Sequence, residues 1–153
     1  MLRSSRILLV DDFLDITELL SHLLNRVGGY ETRTATNGLD AIRIAKEFRP
    51  DVILLDIGMP NLNGFDTAKR IRSEAWGKAT VFIGMSGYCS PEYAQRGREA
   101  GFVEDLPKPM PLRTIVNAIE KFSNRSAGRN LGRLRRLGCF ESPKSAFNRC
   151  PRI

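Results

Sequence analysis

The chain has 153 residues, of which 42% are hydrophobic and 27% charged, and this is the composition of a folded globular protein rather than of a disordered or collagen-like one. No apolar run reaches the ~20 residues of a membrane-spanning helix, and the run at residues 7–10 is too short for the core of a signal peptide. The three cysteines lack the paired spacing of a disulfide framework or a zinc site. These features predict a cytoplasmic protein.

The net charge of +7 is concentrated at one end of the chain. Residues 123–153 contain eight basic residues against one acidic residue, whereas residues 1–122 are balanced. The same segment is rich in Ser, Gly, Asn and Arg and has no sustained hydrophobic periodicity. We therefore predict one folded domain at residues 1–122, followed by a basic and mostly disordered tail at 123–153.

Short apolar runs alternate with amphipathic stretches throughout the predicted domain. In chain order, they predict a strand at 7–10, a helix at 13–27, a strand at 30–35, a helix from 37 to 50, a strand at 52–55, a loop at 58–64, a helix through 65–71, a strand at 81–83, a helix at 91–100, a strand at 102–106 and a helix at 112–122. Five such alternations predict an α/β fold, a parallel sheet with helices on both faces.

Polar residues stand where four of the predicted strands end. Asp11 and Asp12 follow the first strand, Asp56 the third, Ser86 the fourth and Lys108 the fifth. Singly, such an Asp is usually a helix cap and such a Lys a solvated charge. Because ligands bind at the carboxyl ends of the strands in this class of fold, the set predicts one polar pocket.

The residue types in this pocket point to phosphoryl transfer. Three neighbouring carboxylates repel one another unless a cation lies between them, and an all-oxygen ligand set without His or Cys favours Mg²⁺. A lysine and a hydroxyl suit phosphoryl oxygens, and a carboxylate can attack phosphorus to form an aspartyl phosphate. The pocket therefore predicts Mg²⁺-dependent phosphorylation of an aspartate.

Over residues 5–122 the chain resembles the receiver domain of response regulators in two-component signalling. The resemblance is carried by four motifs: Asp11-Asp12, Asp56-Ile57-Gly58-Met59-Pro60 with Gly64, Met85-Ser86-Gly87, and Leu106-Pro107-Lys108-Pro109. It implies a doubly wound, flavodoxin-like fold with five parallel strands in the order 2-1-3-4-5. It also implies that a histidine kinase or a phosphotransfer protein phosphorylates Asp56.

The resemblance also implies how the metal and its surroundings are built. Asp12 would bind Mg²⁺ directly and Asp11 mainly through water, while Asp56 and the backbone carbonyl of Gly58 would complete the protein ligands. Pro60 and Gly64 would support this loop.

Three further positions would contact or surround the phosphoryl group. Ser86 would reorient toward it, Lys108 would pair with it, and Gly87 would leave access for the incoming group. Pro109 would follow a cis peptide bond that aims Lys108.

One position departs from the family pattern. Receiver domains usually carry Tyr or Phe three residues before the lysine, and this chain carries Asp105. Because a phosphoryl group would repel an inward carboxylate, we expect Asp105 to face solvent and the loop from Ser86 to Ser90 to carry the conformational change. Tyr88 is expected at the mouth of the pocket, either tuning water access or packing the loop.

The predicted function is a stand-alone response regulator: a phosphorylation switch rather than an enzyme, whose output is a protein contact. The tail is too short to fold as an output domain, so the resemblance directs the downstream partner to the fourth helix, fifth strand and fifth helix. One alternative is that the basic tail binds nucleic acid or another anionic surface. A less favoured one is an aspartyl-phosphate phosphatase, which usually needs a second Asp where this chain has Gly58.

Overall fold

A computed structural model describes residues 4–88 and 90–127. The strands are β1 (Arg6–Val10), β2 (Glu31–Ala35), β3 (Val52–Asp56), β4 (Val81–Ser86) and β5 (Phe102–Pro107). The helices are α1 (Leu14–Gly28), α2 (Gly38–Phe48), α3 (Gly64–Ser73), α4 (Pro91–Ala100) and α5 (Leu112–Ala127), with a short 3₁₀ helix at Ala75–Ala79. The three cysteines and the tail from residue 128 lie outside the described residues, and so do the predictions made for them.

The five strands form one parallel sheet in the order β2-β1-β3-β4-β5. This confirms the predicted fold class and strand order. Every residue of β3 is buried, as its unbroken apolar run predicts for a strand covered on both faces. The carboxyl ends of β1, β3, β4 and β5 therefore meet at one edge of the sheet.

Two hydrophobic clusters lie on opposite faces of the sheet because successive strand residues point in opposite directions. On one face, strand residues such as Leu8 and Ile53 pack with Phe65 and Ile71 of α3 and with residues of α2 and α4. The other face carries Leu9, Leu54 and their neighbours, packed against α1 and α5. The sheet is thus a rigid middle layer from which the loops at its carboxyl edge project. Among the described residues, no helix is long and apolar enough to cross a membrane.

The pairing of β4 with β5 contains a register shift. Phe82 pairs with Phe102, but Ile83 pairs with Glu104, so Gly84 pairs with Asp105. Without the shift Glu104 would have been opposite Gly84. The irregularity instead brings Asp105 beside Gly84, and this decides where its carboxyl group lies.

One boundary and one short element differ most from the prediction. The last helix continues to Ala127 rather than ending at residue 122, and the first helix-breaking residue after that point in the sequence is Gly128. The 3₁₀ helix was not predicted, because five residues are too few to show a hydrophobic period.

Candidate functional site

Three carboxylates meet at the carboxyl edge of the sheet. Asp11 and Asp12 follow β1 and Asp56 ends β3, and an oxygen atom from each lies within 4.8 Å of the other two. Asp11 and Asp56 are buried, with 1% and 6% exposure, whereas Asp12 is exposed. The side chain of Asp11 also accepts a hydrogen bond from the backbone N–H of Phe13 at 3.0 Å, which fixes the start of the loop into α1.

Lys108 supplies a positive charge to this cluster. Its Nζ lies 2.6 Å from Asp11 Oδ2 and 3.2 Å from Asp56 Oδ1. The backbone N–H of Lys108 donates to the Ser86 carbonyl at 2.7 Å, and the Lys108–Pro109 peptide is cis, as expected. Burial acts to lower the pKa of Lys108, but its contacts with Asp11 and Asp56 outweigh burial and raise that pKa, so the amine stays charged.

Asp56 is held at one oxygen and open at the other. Its Oδ1 accepts from the backbone N–H of Gly58 at 3.2 Å as well as pairing with Lys108. Among the described residues, no hydrogen bond or ion pair holds its Oδ2. Burial raises the pKa of Asp56, Lys108 opposes that rise, and Asp11 adds to it. Oδ2 is therefore the oxygen of Asp56 that is left free to bind a ligand or to react.

The donor set fits a magnesium ion. The three carboxylates offer only oxygen ligands, and hard cations such as Mg²⁺ prefer these. Gly58, whose carbonyl was predicted as a further ligand, lies two residues after Asp56 in the loop, and a Cβ built on it would lie 3.9 Å from Asp56 Oδ1. A cation here would also offset the mutual repulsion of the carboxylates.

The loop after Asp56 depends on Gly64 at the start of α3. A Cβ at this position would come within 2.6 Å of the Asp56 carbonyl oxygen, so only glycine allows α3 to begin this close to β3. Its N–H donates to the Ile57 carbonyl at 3.1 Å. Pro60 is exposed in the same loop. Gly64 thus supports the geometry around Asp56, and the Pro60 carbonyl accepts a hydrogen bond from the Leu62 N–H at 2.9 Å within the loop.

Ser86 and Gly87 lie where β4 ends. Ser86 is 3% exposed, and its hydroxyl donates to the Tyr88 carbonyl at 2.7 Å. Gly87 has open space on its side-chain face, because a Cβ there would have no neighbour within 4 Å among residues 4–88 and 90–127. The structure therefore leaves room beside Ser86, as the prediction for Gly87 requires.

The expectation that Asp105 faces solvent was wrong. Its Oδ2 lies 3.3 Å from Ser86 Oγ, and its Oδ1 is buried without a hydrogen-bond partner in the part of the chain that the structure describes. The register shift brings the carboxyl group beside Gly84, where a Cβ would lie 2.8 Å from Asp105 Oδ1. Glycine at that position makes the space for the inward carboxyl group, and this glycine was the sequence signal that could have indicated it.

Tyr93 of α4 is a second residue that the sequence reasoning missed. Its ring packs edge-on against Phe65 at 4.9 Å and against Tyr88 at 5.9 Å between centroids. Burial is the main reason that its pKa is raised to about 12. Tyr93 therefore joins the start of α4 to the loop after Ser86.

An apolar groove of about 490 Å³ adjoins the acidic cluster. It lies between α1 and the loop after β5, and it touches both Asp11 and Lys108. Beside it, Phe13, Ile16 and Leu19 expose 62%, 53% and 62% of their surface. Large apolar side chains so exposed on one side of a helix indicate a contact surface.

The comparisons with known proteins agree with this geometry. A family model described as the response regulator receiver domain matches residues 7–120. Sporulation initiation phosphotransferase F of Bacillus subtilis is 33% identical, over 78% of this chain and 94% of that protein. The CpxR homologue of Haemophilus influenzae, a transcriptional regulatory protein, is 39% identical over 80% of this chain, but the chain spans only 52% of it.

Solved structures share the fold. The chemotaxis protein CheY4 of Vibrio cholerae superposes with a TM-score of 0.75 at 32% identity, over 78% of this chain and 99% of that one. The family model covers most of the chain, and its span contains the acidic cluster, Ser86 and Lys108. This chain is a member of the response regulator receiver family of two-component signalling.

Proposed function

We propose that this receiver accepts a phosphoryl group on Asp56 from a histidine kinase or a phosphotransfer protein, and that the modification switches a protein-binding surface within a phosphorelay. The observation that carries the proposal is the environment of Asp56. Its carboxylate has one oxygen held by Lys108 at 3.2 Å and lies within 4.8 Å of two further carboxylates. This arrangement orients a nucleophile and keeps a positive charge beside it.

The reaction transfers a phosphoryl group from nitrogen to oxygen. Oδ2 of Asp56 attacks phosphorus, the bond between phosphorus and the donor's imidazole nitrogen breaks, and its electron pair stays on that nitrogen. The product is an acyl phosphate on Asp56 and a histidine on the donor. Burial of Asp56 limits its hydration, which leaves the carboxylate available for attack.

Asp11, Asp12, Asp56 and the Gly58 carbonyl would hold Mg²⁺, which supplies positive charge to the phosphoryl oxygens as they gain charge in the transition state. Lys108, already charged and 2.6 Å from Asp11, can swing its amine from that carboxylate to a phosphoryl oxygen. The hydroxyl of Ser86 can reach the same group by rotating away from Tyr88.

The apolar groove beside α1 is the proposed docking site for the donor helix that carries the phosphohistidine. It is continuous with Asp11 and Lys108, so a helix lying in it would bring its histidine to the open side of Asp56. The exposed apolar side chains of Ile16 and Leu19 match the apolar face of such a helix.

Output through α4, β5 and α5 remains the proposed route to a downstream partner. β5 is an edge strand of the sheet, and α4 begins at Pro91, five residues after Ser86 ends β4. The similarity over 94% of the Bacillus subtilis phosphotransferase supports a single-domain receiver.

Because residue 58 carries no acidic side chain to drive hydrolysis, we regard the protein as a switch rather than as a phosphatase.

The direct test is labelling by a small phosphodonor. Acetyl phosphate with Mg²⁺ should add one phosphoryl group to the full chain, seen by intact mass and on a phosphate-affinity gel. Asp56→Asn should abolish the addition, and the control Asp15→Asn, an exposed acid of α1 outside the cluster, should leave it unchanged. Labelling that persists in Asp56→Asn would refute the assignment.

A further inference from the structure

The hydroxyl of Ser86 lies between two oxygen atoms. Tyr88 O is 2.7 Å away and Asp105 Oδ2 is 3.3 Å away. A hydroxyl has one proton to give and two lone pairs to accept with. The shorter contact takes that proton, so Ser86 donates to Tyr88 and has only acceptor capacity left toward Asp105.

The surroundings of Asp105 are those of a neutral acid. Oδ1 is buried and receives no hydrogen bond from any described residue, and the other atoms near it beside Gly84 belong to the side chains of Ile57 and Phe102. An ionised carboxylate with a bare oxygen in such a place is costly. Burial raises the pKa of Asp105, in agreement with the protonated form. A protonated Oδ2 can donate to the free lone pair of Ser86.

These contacts indicate a role for Asp105 in the switch, which presupposes the phosphorylation of Asp56 proposed above. We propose that Asp105 is a positioning residue that, as a carboxylic acid, donates to Ser86 Oγ and keeps the Ser86 hydroxyl directed at the Tyr88 carbonyl in the unmodified protein. Ser86 must leave both contacts before it can donate to a phosphoryl group on Asp56. Asp105 thus opposes the switch.

The same contacts connect a movement of Ser86 to the start of α4. Once Ser86 turns, the Tyr88 carbonyl loses its donor, and the Tyr88 ring packs on Tyr93 at 5.9 Å. Tyr93 in turn packs on Phe65. Its backbone N–H donates to Ser90 Oγ at 3.1 Å, and this hydrogen bond caps the start of α4. In this receiver the aromatic pair Tyr88–Tyr93 therefore responds to Ser86, while position 105 restrains it.

The test is the affinity of the full chain for beryllofluoride with saturating Mg²⁺, measured by ¹⁹F NMR titration. Asp105→Leu, which has a similar shape and no donor, should bind about fivefold more tightly than the unmodified sequence, as expected for the loss of one hydrogen bond. Asp105→Asn keeps a donor and should restore affinity to within about twofold of the starting value. Asp105→Ala gives a second apolar variant should Asp105→Leu fail to fold.

A double-mutant cycle separates positioning from charge. In a Ser86→Ala background, Asp105→Leu should change the affinity by less than about 1.5-fold, because no hydroxyl remains to hold. Glu104→Gln, beside Asp105 on β5 but paired with Lys121 of α5, is the control and should bind like the starting protein.

Two results would overturn the inference: affinity unchanged in both apolar variants, or a gain that persists in the Ser86→Ala background. If the starting protein itself fails to bind beryllofluoride, the proposed phosphoacceptor function fails, and the inference fails with it.

Discussion

Asp56 and Asp105 are the same chemical group in two environments on either side of β4. Burial raises the pKa of both. Asp56 has Lys108 at 3.2 Å, whereas Asp105, as far as the described residues show, contacts the Ser86 hydroxyl with one oxygen and has no partner for the other. The first can be ionised and act as a nucleophile. The second is better suited to remain protonated and donate a hydrogen bond.

Because burial raises the pKa of both carboxyl groups, the neighbouring charge is what distinguishes them. The Lys108 cation 3.2 Å from Asp56 opposes the cost of burying a charge, and no cation among the described residues pairs with Asp105. The following predictions alter one side of this contrast at a time.

The largest expected effect on folding comes from removing the cation. Lys108→Met should lower the thermal midpoint in metal-free buffer by about 6 °C, because Asp11 and Asp56 lose their counter-charge. The loss is about 2 kcal/mol, less than for a fully buried pair, since the Lys108 side chain is 30% exposed. Calorimetry would measure it.

Lys121→Met is the matched control. Lys121 pairs with Glu104 at 3.5 Å with 47% of its side chain exposed, and such surface pairs contribute little. Equal midpoints for the two variants would contradict the assigned role of Lys108.

The carboxylates should differ in their effect on metal affinity. Asp12→Ala should weaken Mg²⁺ binding at least about tenfold by isothermal titration, because Asp12 is the predicted direct ligand. Asp11→Ala should weaken binding less, since Asp11 Oδ2 is already occupied by Lys108 at 2.6 Å. Identical titration curves for the two variants would refute this division of roles.

If the groove beside α1 binds the donor protein, a change in the groove should affect phosphotransfer from a histidine kinase but not from acetyl phosphate. Leu19→Glu should slow phosphotransfer from a phosphorylated histidine kinase about fivefold and leave labelling by acetyl phosphate unchanged. Leu39→Glu on α2 is the control, since Leu39 is equally exposed at 64% but does not line the groove. Equal slowing by both variants would place the donor elsewhere.

The smallest effect is expected from the tail. Deletion of residues 128–153 should leave both the thermal midpoint and the labelling of Asp56 unchanged, because the sequence of this segment has no hydrophobic periodicity with which to join the core. A midpoint lowered by many degrees would show that it packs on the domain.

Much of the fold could be predicted because its signals are local. The apolar runs of β1 and β3 and the spacing of α1 are readable from neighbouring residues, and the strand ends then bring Asp11, Asp56 and Lys108 together without further information. The position of Asp105 could not be predicted in this way. It depends on a register shift between β4 and β5 and on the space left by Gly84, which are properties of strand pairing.

The exposed apolar side of α1 was missed for a similar reason. The periodic pattern of Ile16, Leu19 and Leu20 predicts the helix, but Ile16 and Leu19 are more than half exposed. Hydrophobic spacing identifies a helix, but it does not state how much of its apolar surface the sheet can cover.

Amide hydrogen exchange with and without beryllofluoride and Mg²⁺ tests the account most directly. We expect faster exchange at Gly87 and Tyr88 on beryllofluoride binding, because Ser86 releases the Tyr88 carbonyl, and no change in Asp56→Asn. Changes centred on Asp105 and absent from Gly87 and Tyr88 would contradict it.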